Sequence, residues 1–350
     1  MEGKIEAKLK RQEFNTLDSA FACVSFIILQ FLFSLIYDNL PVSVRSNFFV
    51  ALLASFIVEA VFFIAVIITS ATRRVEFVKA TKLNKKTDFV SILIAVAISF
   101  VCLFAFTGLT NVFVNFLYKL GYSSNASLSV PNVETYLLYI FLICICPAIF
   151  EDLLFRGLIL SGLRELGDKK AIIFSALIFM LMHGGPDQTI HQFVIGIVLG
   201  CAFIASGSIW IPIVIHFMNN FVALTGAFIT RNAEVVETAV PSWGQLALSL
   251  LYAVIMAAVG AYVVFNLIKI IKNRSDKKES IKNEESVKET ESIKTEELNN
   301  DVEQNVSLSQ NIKNEDAKSR DKKYSLLLFI VSGAYLIFNW CVALIAGFIL

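Results

Sequence analysis

Six ionisable side chains fall within long apolar stretches of the sequence: Glu59, Glu151, Asp152, Arg156, His183 and His216. An ionisable group inside a membrane span costs several kcal/mol and usually marks function. A carboxylate and a neutral imidazole can hold and deprotonate a water molecule. An imidazole and a carboxamide can donate hydrogen bonds to a developing oxyanion. These residue types therefore suit peptide-bond hydrolysis, although one Glu with two His could instead ligate a divalent metal ion.

The first cluster is the run from Glu151 to Arg156. Asp152 and Arg156 are four residues apart, so on a helix they share a face and can pair. Glu151 points about 100° away from Asp152. The spacing therefore predicts an Asp152–Arg156 brace and leaves Glu151 free to face a water molecule or a substrate.

Two further clusters contain histidine. Phe179 and His183 are one helical turn apart, and His216 and Asn220 share a face, whereas Asn219 is expected to point elsewhere. At 1.5 Å per residue, Glu151 and these His and Asn groups lie roughly 10–20 Å from the cytoplasmic ends of their spans. The similar depths indicate that the clusters meet.

Two ionisable residues lie outside these clusters. Glu59 is deep in the second apolar stretch, and we expect it to pair with a neighbouring helix. His191 is at the mouth of the sixth stretch, where an interfacial position is expected. The six cysteines, all in apolar stretches, show no disulfide or metal spacing and are read as core residues.

The three clusters resemble the CAAX prenyl protease and bacteriocin-processing family, also called the type II CAAX endopeptidase or abortive-infection family. Its pattern is EExxxR, FxxxH and HxxxN, each motif on its own membrane helix. The motifs stand here in order as Glu151–Arg156, Phe179–His183 and His216–Asn220, and the stretch 207–216 also looks like the family's approach to its third motif. The resemblance covers about residues 136–230.

The resemblance implies a catalytic carboxylate at Glu151, with His183 as its water-binding partner and His216 and Asn220 as an oxyanion hole. It gives supporting positions to Asp152, Arg156 and Phe179. Asp152 departs from the family, which usually has Glu there; this is tolerable if the acid only pairs with Arg156. The mechanism stays open between one without metal and one in which zinc or another divalent ion is held by Glu151, His183 and His216.

Composition predicts the elements that position these groups. Hydrophobic residues make up 56% of the 350 residues, in runs of about 20 that match the roughly 30 Å hydrocarbon core as helices. Only helices and closed barrels satisfy their backbone in lipid, and the runs are too long for barrel strands. We predict an all-α polytopic bundle of eight or nine spans, near 19–38, 47–70, 89–109, 136–163, 171–183, 190–206, 209–229, 243–271 and 324–349.

Basic residues predict the orientation, since Lys and Arg stay cytoplasmic. They concentrate in the N-terminal segment and in the loops after the second, fourth and eighth spans, whereas the alternate loops are poor in them. The N-terminus is therefore expected inside and Leu350 outside.

The sequence divides into five regions: N-terminal helices 1–135, a protease core 136–230, an eighth span 231–271, a linker 272–323 and an accessory span 324–350. The linker holds 25 of the chain's 59 formal charges and repeats a hexad at Glu279–Lys282, Glu285–Lys288 and Glu291–Lys294. A period of six does not match 3.6 residues per turn, so no apolar face forms. We expect a disordered or weakly helical cytoplasmic segment, with a docking site as the alternative.

The preferred function is a multi-pass intramembrane endopeptidase of the cell membrane, acting on a peptide or lipidated-protein substrate among membrane lipids. One alternative is a member of the same family that acts by binding, as a bacteriocin-immunity or scaffolding protein. The other is a transporter, although the inverted repeats and paired broken helices typical of transporters are not seen. The sequence has no basic patch with interleaved aromatic residues, so we do not expect it to bind nucleic acid.

Overall fold

The fold is given by a computed structural model, which describes residues 10–123, 129–233, 241–294 and 308–349. Regular structure in these ranges is helical, and the all-α prediction is confirmed. The long helices in chain order are α1 Thr16–Asp38, α2 Phe48–Thr72, α3 Phe89–Lys119, α4 Val133–Leu166, α5 Asp168–Met182, α6 Thr189–Ser206, α7 Trp210–Ile229, α8 Trp243–Lys294 and α9 Leu308–Ile349. Short helices Val42–Arg45 and Phe77–Ala80 lie in the connections.

Eight of these helices are long and apolar enough to cross a membrane. The exception is α5, whose 15 residues rise only about 22 Å at 1.5 Å per residue. A turn with a short 3₁₀ helix, Pro186–Gln188, follows it and leads into α6. The helices α5 and α6 pack against each other as a hairpin. The chain is therefore a multi-pass membrane protein, in agreement with the expectation of eight or nine spans.

Polar side chains define where the first four long helices begin. Each of these helices starts after a residue whose side-chain oxygen accepts from a backbone N–H of the first turn: Asn15, Asn47, Asp88 and Asn132. At Asn15 the bonding is reciprocal, because Asp18 also accepts from the backbone N–H of Asn15. Such caps satisfy N–H groups that have no partner within the helix.

The basic segments meet at one end of the bundle. Asp18, near the start of α1, contacts Arg11 at 2.9 Å and Arg73, after α2, at 2.7 Å. Asp88, at the start of α3, contacts Arg274 of α8 at 2.7 Å. The charge alternation in the sequence requires this clustering. That this end is cytoplasmic stays a prediction.

Contacts near the helix ends show which segments lie at each end of the bundle. The last turn of α4 reaches the basic end through Glu165, whose Oε2 accepts from the Thr16 hydroxyl. At the opposite end, Lys119 donates to the carbonyl of Pro241 at 2.9 Å. The α5–α6 hairpin therefore starts and finishes at the basic end, because α6 returns to Ser206 and Ser206 accepts from Ser275 of α8 at 3.0 Å.

The helices α4 and α6 are the most buried of the eight spans, and α4 carries the first motif. In α4 and α6, 44% of the best span window is buried, whereas in α9 the share is 11%. The core is rich in Phe and includes Phe26, Phe155, Phe179 and Phe203. The peripheral α9 packs mainly along α1 and also touches the start of α6, where Trp340 donates to Thr189 at 2.9 Å.

The charged segment begins as a continuation of α8. This helix runs without interruption from Trp243 to Lys294, so the hexads lie on helical backbone. Residues 295–307 and Leu350 are outside the described ranges, as is the start of the N-terminal segment. The five-region division and the position of Leu350 therefore stay predictions.

Candidate active site

The first part of the site is an irregular stretch of α4. Its central α-helical segment, Cys146–Asp152, lies between two π-helical segments, Ile140–Ile145 and Leu153–Leu160. Pro147 has no N–H for the carbonyl of Ile143, which an α-helix would bond four residues later. Widened π turns are rare in proteins, and those that occur are often at functional sites. Apart from the proline, nothing in the sequence indicated them.

Asp152 and Arg156 form a buried ion pair. Nη1 of Arg156 lies 2.8 Å from Oδ1 of Asp152, and the two side chains are 1% and 0% exposed. All ten residues from Glu151 to Leu160 are buried. The structure thus brings together the two residues whose spacing predicted a brace.

Phe179 contacts residues of all three motifs. Its ring lies 4.3 Å beneath the guanidinium of Arg156, a cation–π contact in a buried environment. The same ring meets His183 edge-on at 4.7 Å and His216 at 6.0 Å, between ring centroids. A phenylalanine one turn before His183 therefore packs against elements of all three motifs at once.

His216 lies between the two acids of α4. Its Nδ1 is 3.4 Å from Oδ2 of Asp152, and its Nε2 is 3.9 Å from Oε2 of Glu151. The ring is buried, as are both carboxylates. Asp152 thus contacts His216 as well as Arg156, which the sequence did not indicate. The shorter Asp side chain reaches both partners, so its departure from the family pattern fits this geometry.

One carboxylate oxygen of Glu151 is unpaired. Its side chain is buried, and Oε2 has no hydrogen-bond partner among the described residues. Burying a carboxylate oxygen without a donor is costly, so its place in the fold needs an explanation. The expectation that Glu151 is the free acid agrees with this arrangement.

His183 ends α5 and extends the site beyond the helix. Its Nδ1 is 2.8 Å from the carbonyl oxygen of Phe179. Because a carbonyl only accepts, Nδ1 carries the hydrogen, and the lone pair of Nε2 is available as a base. No hydrogen bond or ion pair joins His183 directly to Glu151 within the described ranges. Phe179 contacts His183, and it also contacts His216, whose Nε2 lies 3.9 Å from Glu151.

Asn220 and Asn219 belong to one network. Nδ2 of Asn220 donates to the carbonyl of Ile143 at 2.9 Å, the carbonyl that Pro147 leaves without an α-helical partner. Nδ2 of Asn219 lies 3.2 Å from Oδ1 of Asn220 and 3.2 Å from Nε2 of His191. Asn219, expected to point away from the face of His216 and Asn220, thus contacts His191 of α6 as well as Asn220. The adjacency of two Asn residues was the available signal.

Glu59 faces the same stretch of α4 from α2. Two stacked aromatic pairs bracket it, Phe56 with Phe141 and Phe63 with Phe150, at 6.1 and 5.4 Å between centroids. Oε2 of Glu59 is buried without a hydrogen-bond partner, and no cation pairs with it in the described part of the chain. The expected pairing of Glu59 with a neighbouring helix is therefore not found among the described residues.

The metal alternative lacks a ligand set. Among the described residues, no three His, Cys, Asp or Glu side chains form a group that could hold a metal ion. Glu151, His183 and His216 therefore do not fit a three-ligand zinc site in this arrangement. All six cysteines are free thiols. Four are buried, as expected of core residues, whereas Cys201 is half-buried and Cys341 is exposed.

Comparison with known proteins adds a family to this geometry. Residues 133–222, about a quarter of the chain, match the family described as type II CAAX prenyl endopeptidase Rce1-like. This part of the chain is similar to that family. The match runs from the start of α4 past Asn220, so it contains all three motifs and confirms the resemblance. No curated protein and no solved structure matches the chain.

At the level of this family, the match supports an intramembrane protease whose substrate is a peptide or protein in the membrane. Outside the core, α1, α2, α3, α8 and α9 are helices of the same bundle that the match does not cover. The finer assignments, including residue roles, are proposals.

Proposed function

We propose that this protein is an endopeptidase of the cell membrane that hydrolyses a peptide bond of a membrane-associated or secreted peptide, with protein groups alone activating the water. The observation that carries the proposal is the buried Oε2 of Glu151, which has no hydrogen-bond partner among the described residues and lies 3.9 Å from His216. Asp152 differs from Glu151, because its oxygens lie 2.8 Å from Arg156 and 3.4 Å from His216.

The proposed reaction begins with water held by Glu151 and by Nε2 of His183. The carboxylate takes a proton from the water as its oxygen attacks the scissile carbonyl carbon. The carbonyl oxygen becomes an oxyanion, which accepts hydrogen bonds from His216 and Asn220. Glu151 then gives its proton to the leaving nitrogen as the C–N bond breaks. The products are a carboxylic acid and an amine, and Glu151 ends as it began.

The brace supports this reaction through His216. Asp152, opposite Nδ1, orients the ring so that Nε2 faces Glu151 and the reacting groups. Arg156 balances the second acid and is itself held over the ring of Phe179. The helices thus fix the donors before substrate arrives, which is the condition for effective electrostatic stabilisation.

The test compares membrane and secreted proteomes of cells with the wild-type protein and with Glu151→Gln. Loss of the general base is expected to slow processing by about 10²–10⁴-fold, so unprocessed precursors accumulate. The matched control is Glu134→Gln, an exposed acid on the same helix, which should leave the precursors unchanged.

Two results would overturn the proposal. One is an identical set of peptide termini in wild type and Glu151→Gln at equal membrane levels, which would favour a binding function. The other is purified active protein that contains one equivalent of zinc and loses activity with a chelator. The second result would replace the metal-free mechanism by a metal-dependent one.

A further inference from the structure

A continuous line of hydrogen bonds runs from the backbone of α4 to His191. The carbonyl of Ile143 accepts from Asn220 at 2.9 Å, Oδ1 of Asn220 accepts from Asn219 at 3.2 Å, and Nδ2 of Asn219 lies 3.2 Å from Nε2 of His191. The line joins α4, α7 and α6. Only Asn220 belongs to a family motif.

The chemistry of the first atom determines every later one. A carbonyl oxygen can only accept, so Asn220 turns its Nδ2 toward Ile143 and its Oδ1 toward Asn219. Asn219 must then present Nδ2, which has two hydrogens and can serve both neighbours. The second hydrogen meets Nε2 of His191, which must accept it. A neutral imidazole that accepts at Nε2 carries its hydrogen on Nδ1.

The reverse orientation of Asn219 conflicts with these contacts. Turning the amide over would place its oxygen beside Oδ1 of Asn220, which is also an acceptor. Asn219 is 7% exposed, and its own Oδ1 is buried without a hydrogen-bond partner among the described residues. The amide thus keeps its donors in the network and leaves its acceptor unpaired, although an unpaired buried oxygen is costly.

We infer that His191 and Asn219 are positioning residues that hold the carboxamide of Asn220, with His191 as the neutral Nδ1–H tautomer. Nδ2 of Asn220 has two hydrogens, of which Ile143 takes one. The other is available to an oxyanion, and the line fixes the plane in which it lies. The catalytic consequence rests on the proposed function, whereas the tautomer and the orientation of Asn220 do not.

The direct test is nitrogen NMR of the full chain in nanodiscs, with ¹⁵N in its imidazole rings. The chain has three histidines, and loss of one resonance pair in His191→Gln assigns His191. At neutral pH, we expect a protonated Nδ1 and an unprotonated, hydrogen-bonded Nε2. In Asn219→Leu, the Nε2 resonance should shift because its donor is gone. A wild-type His191 protonated at Nε2, or a spectrum unchanged by Asn219→Leu, would overturn the inference.

Processing rates test the catalytic consequence with conservative replacements. Asn219→Leu and His191→Leu should each slow precursor processing about tenfold, less than the 10²–10³-fold loss expected from removing an oxyanion donor itself. His191→Gln should retain the wild-type rate, because its Oε1 can accept from Asn219. Gln192→Ala is the control, since its side chain contacts Gln188 and not the network. Equal rates in His191→Leu and wild type would refute the positioning role.

The two proposals fail separately. If Glu151→Gln processes every precursor like the wild type, the proteolytic function is wrong, and the NMR measurement alone decides whether His191 and Asn219 hold Asn220. If processing depends on Glu151 but the resonances of His191 contradict the Nδ1–H form, the protease stands and the positioning role falls.

Discussion

Two Asp–Arg pairs with the same spacing lie close together in the chain. Asp152 and Arg156 are four residues apart with a 2.8 Å contact, and Arg164 and Asp168 are also four apart with a 2.8 Å contact. The side chains of the first pair are 0–1% exposed and those of the second 45–48%. The pairs share their spacing and distance, but the first is buried within α4, whereas the second is exposed and joins the end of α4 to the start of α5.

The difference decides what each pair can do. An exposed ion pair of this kind contributes about 0–1 kcal/mol, because water competes and two long side chains must be ordered. A buried pair gains little net stability from its attraction, since both charges are desolvated, but removing one partner is costly. At Asp152–Arg156 the partners also contact His216 and Phe179. The buried Asp152–Arg156 pair therefore supports the site, whereas the exposed pair only joins the ends of two helices.

The largest effect is expected at the buried pair. Arg156→Met should lower the free energy of unfolding by about 3–5 kcal/mol, because Asp152 is left buried without its cation. Thermal unfolding of purified protein in detergent micelles measures the change. The matched variant Arg164→Met, at the exposed pair, should change stability by less than about 1 kcal/mol. Equal melting temperatures for the two variants would show that burial does not separate them.

An intermediate effect is expected at Asp18, which is buried but has half-exposed partners. The carboxylate accepts from Arg11 and Arg73 and from the backbone N–H of Asn15. Asp18→Asn should cost about 1.5–3 kcal/mol, the range for hydrogen bonds to a charged group.

The control for Asp18 lies at the opposite end of the same helix. Asp38 is 69% exposed, and its contact with Arg45 is 3.9 Å. Asp38→Asn should leave the melting temperature nearly unchanged. If Asp18→Asn melts at the wild-type temperature as well, the contacts that join α1 to the loop after α2 contribute no stability.

The smallest effect, and a pH-dependent one, is expected at Asp88. Burial by itself raises the pKa of this carboxyl, but hydrogen bonds from Ser91, Arg274 and Lys278 outweigh it and leave the pKa below its ordinary value. A lowered folded-state pKa contributes stability above the unfolded pKa of about 3.9, and the contribution is lost as the pH falls through the folded pKa.

Asp88→Asn should therefore lower the melting temperature at about pH 7, by the equivalent of roughly 1 kcal/mol because the cations are partly exposed. The difference from wild type should shrink at about pH 3 and below. Thermal unfolding at several pH values measures it. A difference that is constant from neutral to acid pH would show that the charge of Asp88 is not the cause.

Much of the architecture could be predicted because it follows from local composition. A span needs only enough consecutive apolar residues to cover the hydrocarbon core. Caps such as Asn47 and Asp88 then define where helices start. The length of α5 shows a limit, since the sequence predicts a span at 171–183 although the helix, Asp168–Met182, is too short to cross the hydrocarbon core.

The site could be predicted only in part. Spacing predicted the Asp152–Arg156 contact, because residues four apart on a helix are always neighbours. The contact of Asp152 with His216, and the line from Ile143 to His191, join residues on different helices. Their formation depends on helix rotation and on the π-helical segments of α4, which no periodicity in the sequence encodes. The absence of a partner for Glu59 among the described residues also depends on how the helices are rotated against each other.

By itself, the sequence determined that the chain is a bundle of membrane helices and which side chains could do chemistry within it, because apolar length and motif spacing are local properties. The tertiary structure decided which of those side chains are buried, which are paired and which lack a hydrogen-bond partner. Asp152–Arg156 and Arg164–Asp168 read alike along the chain. They differ because desolvation is a property of everything packed around a charge, and that packing exists only after the helices have assembled.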